Sequence, residues 1–273
     1  MIKRIILLCI SVLLAIPTGF TVITEDQTPS LTSFESSNYQ DYISLFYQKL
    51  GNECPKPDYV VFSKAITGFF TIKAQNKIKN NLLTIIDFSL SSNKKRMWII
   101  DVNDMKVIHH NLVSHGQKSG LLYAESFSNT PSSYQSSLGF YLTGDIYYGK
   151  HGMSMYLEGL EAGINDKARE RAIVMHSADY VSSDFIKQYG RLGRSHGCPA
   201  IPKEGHQKTL SLLSGNSCLY IYHNDTGYHQ KSNLLAQDKA IAGMLSFMKE
   251  APLIVSKYLS LPLDQIPTVE TRL

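Results

Sequence analysis

The chain has 273 residues, of which 43% are hydrophobic and 18% charged, with a formal net charge of +4. This composition is ordinary for a folded protein and excludes wholesale disorder, while the length admits one large domain or two small ones. The positive excess is spread along the chain without a lysine or arginine block, so no nucleic-acid footprint is expected.

The N-terminus reads as a targeting segment. Lys3 and Arg4 form a basic start, Ile5 to Ile16 is an apolar run broken only by Ser11, and Pro17 and Gly19 end it. The run is shorter than the ~20 residues a spanning helix needs, which fits a secretory signal peptide over residues 1–23. No clean Ala-x-Ala follows, so an uncleaved membrane anchor reaching Ile23 is the alternative. In that case the membrane would be met only through this segment. Cys9 sits too early in the run for lipoprotein cleavage.

Residues 24–37 are rich in Ser, Thr and Glu and read as a mobile linker. Asn38 can cap a helix carrying Tyr42, Ile43, Phe46, Tyr47 and Leu50 at spacings of three and four, and Gly51 stops it. After the turn Cys54-Pro55-Lys56-Pro57, a second helix runs from Asp58 into the seventies, with Tyr59, Phe62, Ile66, Phe69 and Phe70 on one face. The two helices make an N-terminal segment over 38–81, and their aromatic residues read as core.

From Leu82 the hydrophobic period changes. Leu82 to Phe88, Arg96 to Val102 and Val107 to Val113 are short β-favouring runs divided by turn residues, which predicts an antiparallel meander. Gly116 to Ser137 is serine-rich and reads as a long surface loop, a candidate rim of a site. Leu138 to Tyr148 and Met153 to Leu157 read as strands. Asn165 can cap a short helix through Arg171. Ala172 to Met175 is a buried strand with His176 at its carboxyl end, and Cys218 to His223 is another strand. Gln237 to Tyr258 is helical by pattern and lies, with the tail, in a C-terminal segment over 226–273.

The chemistry gathers at Ser195-His196-Gly197-Cys198-Pro199, downstream of His176. A thiol near its free pKa of ~8.5 is mostly protonated at neutral pH, so a histidine must take its proton or stabilise the anion. Gly193 and Gly197 allow the turns that present a sulfur and aim amide N–H groups at a substrate oxygen. If the loop is extended, His196 and Cys198 share a face. One histidine then acts as base, and the N–H groups of Gly197 and Cys198 stabilise an oxyanion. The expected reaction is acyl transfer. Of the four cysteines, loss of the leader removes Cys9 and leaves an odd three. Cys198 is expected to be free, with Cys54 and Cys218 either paired or both buried; all three being small core residues is the alternative. A zinc held by His176, His196 and Cys198 is the rival chemistry, although no Cys-x-x-Cys or His-Glu-x-x-His accompanies it.

His176-Ser177 followed by Gly193-Arg194-Ser195-His196-Gly197-Cys198-Pro199 resembles the signature of the L,D-transpeptidase (YkuD-type) catalytic domain. It is similar to the murein L,D-transpeptidase branch, in which Pro and a small apolar residue follow the cysteine. Residues 83–89 and 169–176 are similar to that branch too, and the catalytic domain is expected over 82–225.

The resemblance implies a mainly β fold with flanking helices, an antiparallel β-sandwich with a groove over the cysteine. It implies cleavage of a peptidoglycan stem tetrapeptide with release of terminal D-alanine, in the periplasm or cell envelope, with no cofactor. Cys198 becomes the nucleophile, His176 the general base, the Ser177 carbonyl its orienter, and His196 and Gly197 members of the oxyanion-side loop. Ser195, Arg194, Arg191, Tyr180 and His151 are the expected substrate-binding residues. The commoner family pattern has Asn or Arg where this chain has Ala200, and its spacer between the two histidines is shorter. A carboxypeptidase on the same substrate and a non-catalytic wall-binding protein of the same fold are the alternatives. Oligomeric state is left open.

Overall fold

The computed structural model describes residues 31–51 and 53–250, and the change of period at Leu82 divides helices from sheet there. The expected leader and the first part of the linker lie outside the described residues. Helix α1 (Leu31–Lys49) begins ahead of Asn38, so residues 31–37, expected as linker, are helical. The half from Tyr39 onward is anchored by buried Tyr39, Ile43 and Phe46, and propagation from an anchored helix costs far less than nucleation. Helix α2 (Tyr59–Ala74) starts at the Asp58 cap, whose carboxylate accepts the Val60 N–H at 2.8 Å. It is buried around much of its circumference because it packs against the sheet, α1 and the C-terminal helix together. Among the described residues, no helix is long and apolar enough to cross a membrane.

Strands β1 (Leu82–Asp87), β2 (Met97–Asp101) and β3 (Lys106–Asn111) form the expected antiparallel meander. Strands β4 (Gly139–Gly149) and β5 (Gly152–Gly159) form a hairpin with Lys150 and His151 at its tip. Strand β6 (Val174–Ser177) pairs with β5, and β7 (Ala200–Ile201) pairs with β6. The last strand, β8 (Cys218–Tyr222), inserts between β1 and β4, giving the order β3-β2-β1-β8-β4-β5-β6-β7.

The class is mainly β with flanking helices, as expected. The sheet itself is mixed, since β1–β8 and β6–β7 run parallel. It is also nearly barrel-like: the Ser114 N–H donates to the Ala200 carbonyl at 2.9 Å and so brings the segment after β3 onto β7, at the opposite edge. Strands β1 and β8 are buried along their whole length, which is why neither alternates apolar with polar residues.

Three short helices have no counterpart in the sequence reading: α3 (Ser183–Tyr189), α4 (His206–Leu213) and α5 (Thr226–Lys231). The C-terminal helix α6 (Gln237–Glu250) occupies the expected place as far as the described residues extend. The helix expected from Asn165 to Arg171 does not form; the stretch is a run of turns. Asn165 is drawn elsewhere. Its side-chain oxygen accepts the Glu161 N–H at 2.9 Å, and its amide donates to the Leu138 and Phe140 carbonyls at 2.9 and 3.0 Å.

Glu161 is the buried hub beside it. Its carboxylate accepts the Phe140 N–H at 2.7 Å, the Tyr228 hydroxyl at 3.1 Å and the Ser232 hydroxyl, tying the start of β4 to α5. Removing the acceptor would leave three buried donors unpaired, so Glu161→Ala should cost about 3 kcal/mol or more of unfolding free energy. Urea unfolding of the variant checks this, and a loss below about 1 kcal/mol would contradict the hub role.

Candidate active site

His176 and Cys198 are brought together by β6 and β7. The parallel register sets His176 beside Ala200, which leaves Val174 and Cys198 as neighbours two residues earlier. The Val174 N–H accordingly meets the Cys198 sulfur at 3.5 Å. His176 and Cys198 line one cavity of about 510 Å³. The thiol also donates to the Ala172 carbonyl at 3.6 Å, and Ala172 holds the left-handed conformation (φ 53°). Cys198 is a free thiol, as are Cys54 and the fully buried Cys218, so the pairing considered for the latter two is not formed.

The cysteine loop is held from both sides. On one side the Ser195 N–H donates to the His115 carbonyl at 3.0 Å, and the Gln117 N–H donates to the Ser195 carbonyl at 2.7 Å. On the other, the Ser136 hydroxyl donates to the Gly197 carbonyl at 3.0 Å while accepting the Gly116 N–H at 3.0 Å. Gly197 has φ 124°, and a Cβ there would stand 2.7 Å from the Gln135 carbonyl oxygen, so only glycine fits.

The stretch 116–137, expected as a surface loop and candidate rim, exposes Leu121, Tyr123 and Tyr134 and lines the cavity with Pro131, Ser132 and Tyr134, while its buried Ser119, Ser136 and Ser137 support the cysteine loop. The geometry also corrects the expected oxyanion donors. The Gly197 N–H is taken by the Ser195 hydroxyl oxygen at 3.0 Å, and that hydroxyl donates to the Cys198 carbonyl at 2.6 Å.

Beneath His115 lies a fully buried cation. Arg96 donates from Nε and Nη2 to the Val113 carbonyl at 3.1 and 3.0 Å and from Nη1 to the Leu90 carbonyl at 2.7 Å; its guanidinium stands over the Phe88 ring. Nη2 also donates to His115 Nδ1 at 2.8 Å, which makes that ring neutral, with Nε2 as its donor. Burial, then the Arg96 charge, push His115 down to about 3.

At the site itself His176 Nδ1 donates to the Ser177 carbonyl at 3.0 Å, which leaves Nε2 as the acceptor. The His176 ring stacks on His151 at 4.4 Å with a 21° interplanar angle. Burial lowers its pKa below the ordinary imidazole value, helped by His151 and Lys150, so the ring is neutral at pH 7. Burial pushes the Cys198 thiol up, opposed by the Val174 N–H and the charges of Arg171 and Lys150.

The other expected residues divide into those at the cavity and those away from it. His196 lines the rim, exposed and packed on the Tyr134 ring at 4.5 Å. Tyr180 lines the cavity, and burial followed by the Cys198 charge pushes its hydroxyl up to about 12. Arg194 also lines it, but its Nη1 is spent on the Gln117 and Gly120 carbonyls at 3.0 and 2.9 Å. Arg191 lines neither this cavity nor its neighbour and donates to the Leu192 carbonyl at 2.8 Å instead. Ser177, His151 and Tyr180 share a second cavity of about 520 Å³ with Lys150, Lys203 and His206. Among the described residues, no three His, Cys, Asp or Glu side chains gather as a metal site. Arg171, Lys150 and Tyr134 line the first cavity and were not singled out from the sequence. Lys150 had one signal, its place beside His151.

Residues 53–222 match the family model described as the L,D-transpeptidase catalytic domain, a span that includes α2. Among solved structures the chain is similar to an L,D-transpeptidase from Mycobacterium smegmatis, with 11% identity and a TM-score of 0.33 over 52% of this chain and 59% of that one. It is also similar to an L,D-transpeptidase from Stackebrandtia nassauensis, with 12% identity and a TM-score of 0.32 over 69% and 92%. A third similarity is to an L,D-transpeptidase from Xylanimonas cellulosilytica, with 13% identity and a TM-score of 0.28 over 67% and 93%. The match thus spans 59% of the length of the mycobacterial structure. Comparison with curated proteins found no match.

The neutral His115 under the cysteine loop makes stability depend on pH. The unfolded ring takes a proton near pH 6.5 and the folded one only near 3, so the unfolded state binds more protons and stability falls with pH below 6.5. The contribution lost between pH 6.5 and 5 is about 2 kcal/mol, and the lowered His176 acts in the same direction. Urea unfolding at the two pH values should show a smaller loss in His115→Gln than in the parent; equal losses would contradict this account.

Proposed function

The chain belongs to the L,D-transpeptidase catalytic-domain family, and on that premise we propose that it is a peptidoglycan-modifying enzyme that works by acyl transfer through Cys198. The observation that carries the reading is one cavity lined by a free thiol and by a neutral histidine whose Nδ1 is already engaged. His176 Nε2 takes the thiol proton. The thiolate then attacks the carbonyl carbon of the diamino acid in a stem tetrapeptide, at its amide bond to the terminal D-alanine. The imidazolium returns its proton to the leaving amine, D-alanine departs, and a thioester remains on Cys198. The side-chain amine of a second stem attacks the thioester, gives up a proton to His176, and releases the thiol with a new amide bond.

Ser177 acts in this scheme through its carbonyl, which holds the imidazole in the tautomer that leaves Nε2 as base. With the Gly197 N–H engaged by Ser195, the Cys198 N–H is the remaining oxyanion donor of the pair expected from the sequence. His151, stacked on the base, and Tyr180 border both cavities, and the second, which Cys198 does not line, is the place where an acceptor peptide would approach. Export to the cell envelope, guided by the leader, completes the proposal.

Cys198→Ala and His176→Ala should each reduce D-alanine release from purified muropeptides at least about 10²-fold, followed by chromatography with mass detection. Full cleavage by Cys198→Ala would refute the mechanism. Treatment with a carbapenem should add its mass to the peptide containing Cys198, because an activated thiolate opens a strained lactam. An adduct found only on Cys54 would contradict the assignment.

A further inference from the structure

Arg171 stands in the turn before β6, and both Nη groups are spent on one neighbouring segment. Nη1 donates to the Ser128 carbonyl at 2.6 Å and the Ser137 hydroxyl at 3.0 Å. Nη2 donates to the Gln135 carbonyl at 2.5 Å and the Ser133 hydroxyl at 3.3 Å. All four partners are neutral oxygens within residues 128–137. Among the ion pairs of the described residues, none involves Arg171. A half-buried guanidinium stays ionised, and holding it without a counter-charge is costly. The group nonetheless lines the cavity of Cys198, with Nη2 3.4 Å from where a Cβ on Gly197 would stand.

We propose that Arg171 is a positioning residue for Cys198: its permanent charge favours ionisation of the sulfur against the burial that opposes it, while its hydrogen bonds hold segment 128–137 against the cysteine loop. The proposal deepens the reading of Cys198 as nucleophile and rests on it. Other charged or titratable groups reach the same cavity from every wall. Tyr134 comes from segment 128–137, Tyr147, Lys150 and His151 from the β4–β5 hairpin, Glu170 from the turn before β6, His176 from β6, Tyr180 from the segment after it, and Arg194 and His196 from the cysteine loop.

Arg171 outweighs these for three reasons. Lys150 is exposed, so water and salt screen its charge. Arg194 is tied to the Gln117 and Gly120 carbonyls. His176 and His151 both have lowered pKa values, through burial first, and carry little charge at pH 7. The segment that Arg171 grips is the one whose Ser136 hydroxyl holds the Gly197 carbonyl, so charge and geometry reach the sulfur through a single side chain.

The test is the pH dependence of iodoacetamide alkylation of the full chain, read by mass spectrometry on the peptide containing Cys198. It needs no substrate. Burial raises the parent thiol and Arg171 opposes that rise, so the reading lies in the difference between parent and variants. Arg171→Gln should raise the midpoint by about one unit, slowing alkylation at pH 7 about tenfold. Arg171→Lys keeps a charge and should restore most of the parent profile. Ser137→Ala removes one bond of the grip but leaves the charge, and should keep the parent midpoint.

A folded Arg171→Gln with the parent midpoint overturns the proposal, as does a Ser137→Ala midpoint that moves as far as that of Arg171→Gln. If the midpoint shifts as expected but no muropeptide is cleaved, the substrate reading fails and the role of Arg171 stands. If muropeptides are cleaved while the midpoint does not move, the role of Arg171 fails alone.

Discussion

One serine hydroxyl carries much of the geometry of this site. Ser136 accepts the Gly116 N–H and donates to the Gly197 carbonyl, so two backbone segments far apart in sequence meet at one oxygen. Both backbone groups are buried, and a buried polar group without a partner is costly, so the cysteine loop is stable only in the shape that completes these bonds. The His115 carbonyl and the Ser195 hydroxyl close the remaining gaps. The loop has no regular secondary structure of its own before Ala200, and its position is borrowed from its neighbours.

The electrostatics follow from the same enclosure. Burial disfavours charge on the thiol and on the imidazoles alike, leaving His176 neutral, His115 deeply depressed and Cys198 raised. A neutral base beside a raised thiol is a resting arrangement in which the proton still belongs to sulfur. The permanent cation of Arg171 works against that tendency, because guanidinium alone among these groups keeps its charge in a half-buried place. The histidines divide the work accordingly: His176 offers an acceptor nitrogen, His151 supports it by stacking, and His196 remains at the rim with Tyr134.

The elements of the fold were largely legible in the sequence, because local patterns report local burial. The three-and-four spacing of Tyr42, Ile43, Phe46 and Leu50 and the Asp58 cap correspond to observed helices, and the apolar run ending at His176 to a strand that begins only at Val174, since Ala172 is an exposed turn residue. Where the pattern misled, a long-range bond had outbid the local one. Asn165 has the chemistry of a helix cap, yet it serves the carbonyls of Leu138 and Phe140. The serine-rich stretch 116–137 is largely the surface it looked like, yet the hydroxyls of Ser119 and Ser136 are buried as backbone partners.

The amino-acid sequence by itself determined the reactive residue types, the change from helical to strand period at Leu82, and the family. Each is written in short stretches that need no distant partner to be read. Tertiary structure alone decided which strands pair, that β8 enters between β1 and β4, and that the Gly197 amide turns inward while Arg191 stays away from the cavity. It alone brought Arg171 and Lys150 to the wall around the sulfur. The physical reason is that periodicity encodes how deeply a residue is buried and not against what; the partner is chosen only when the sheet curls and every enclosed polar group must find one.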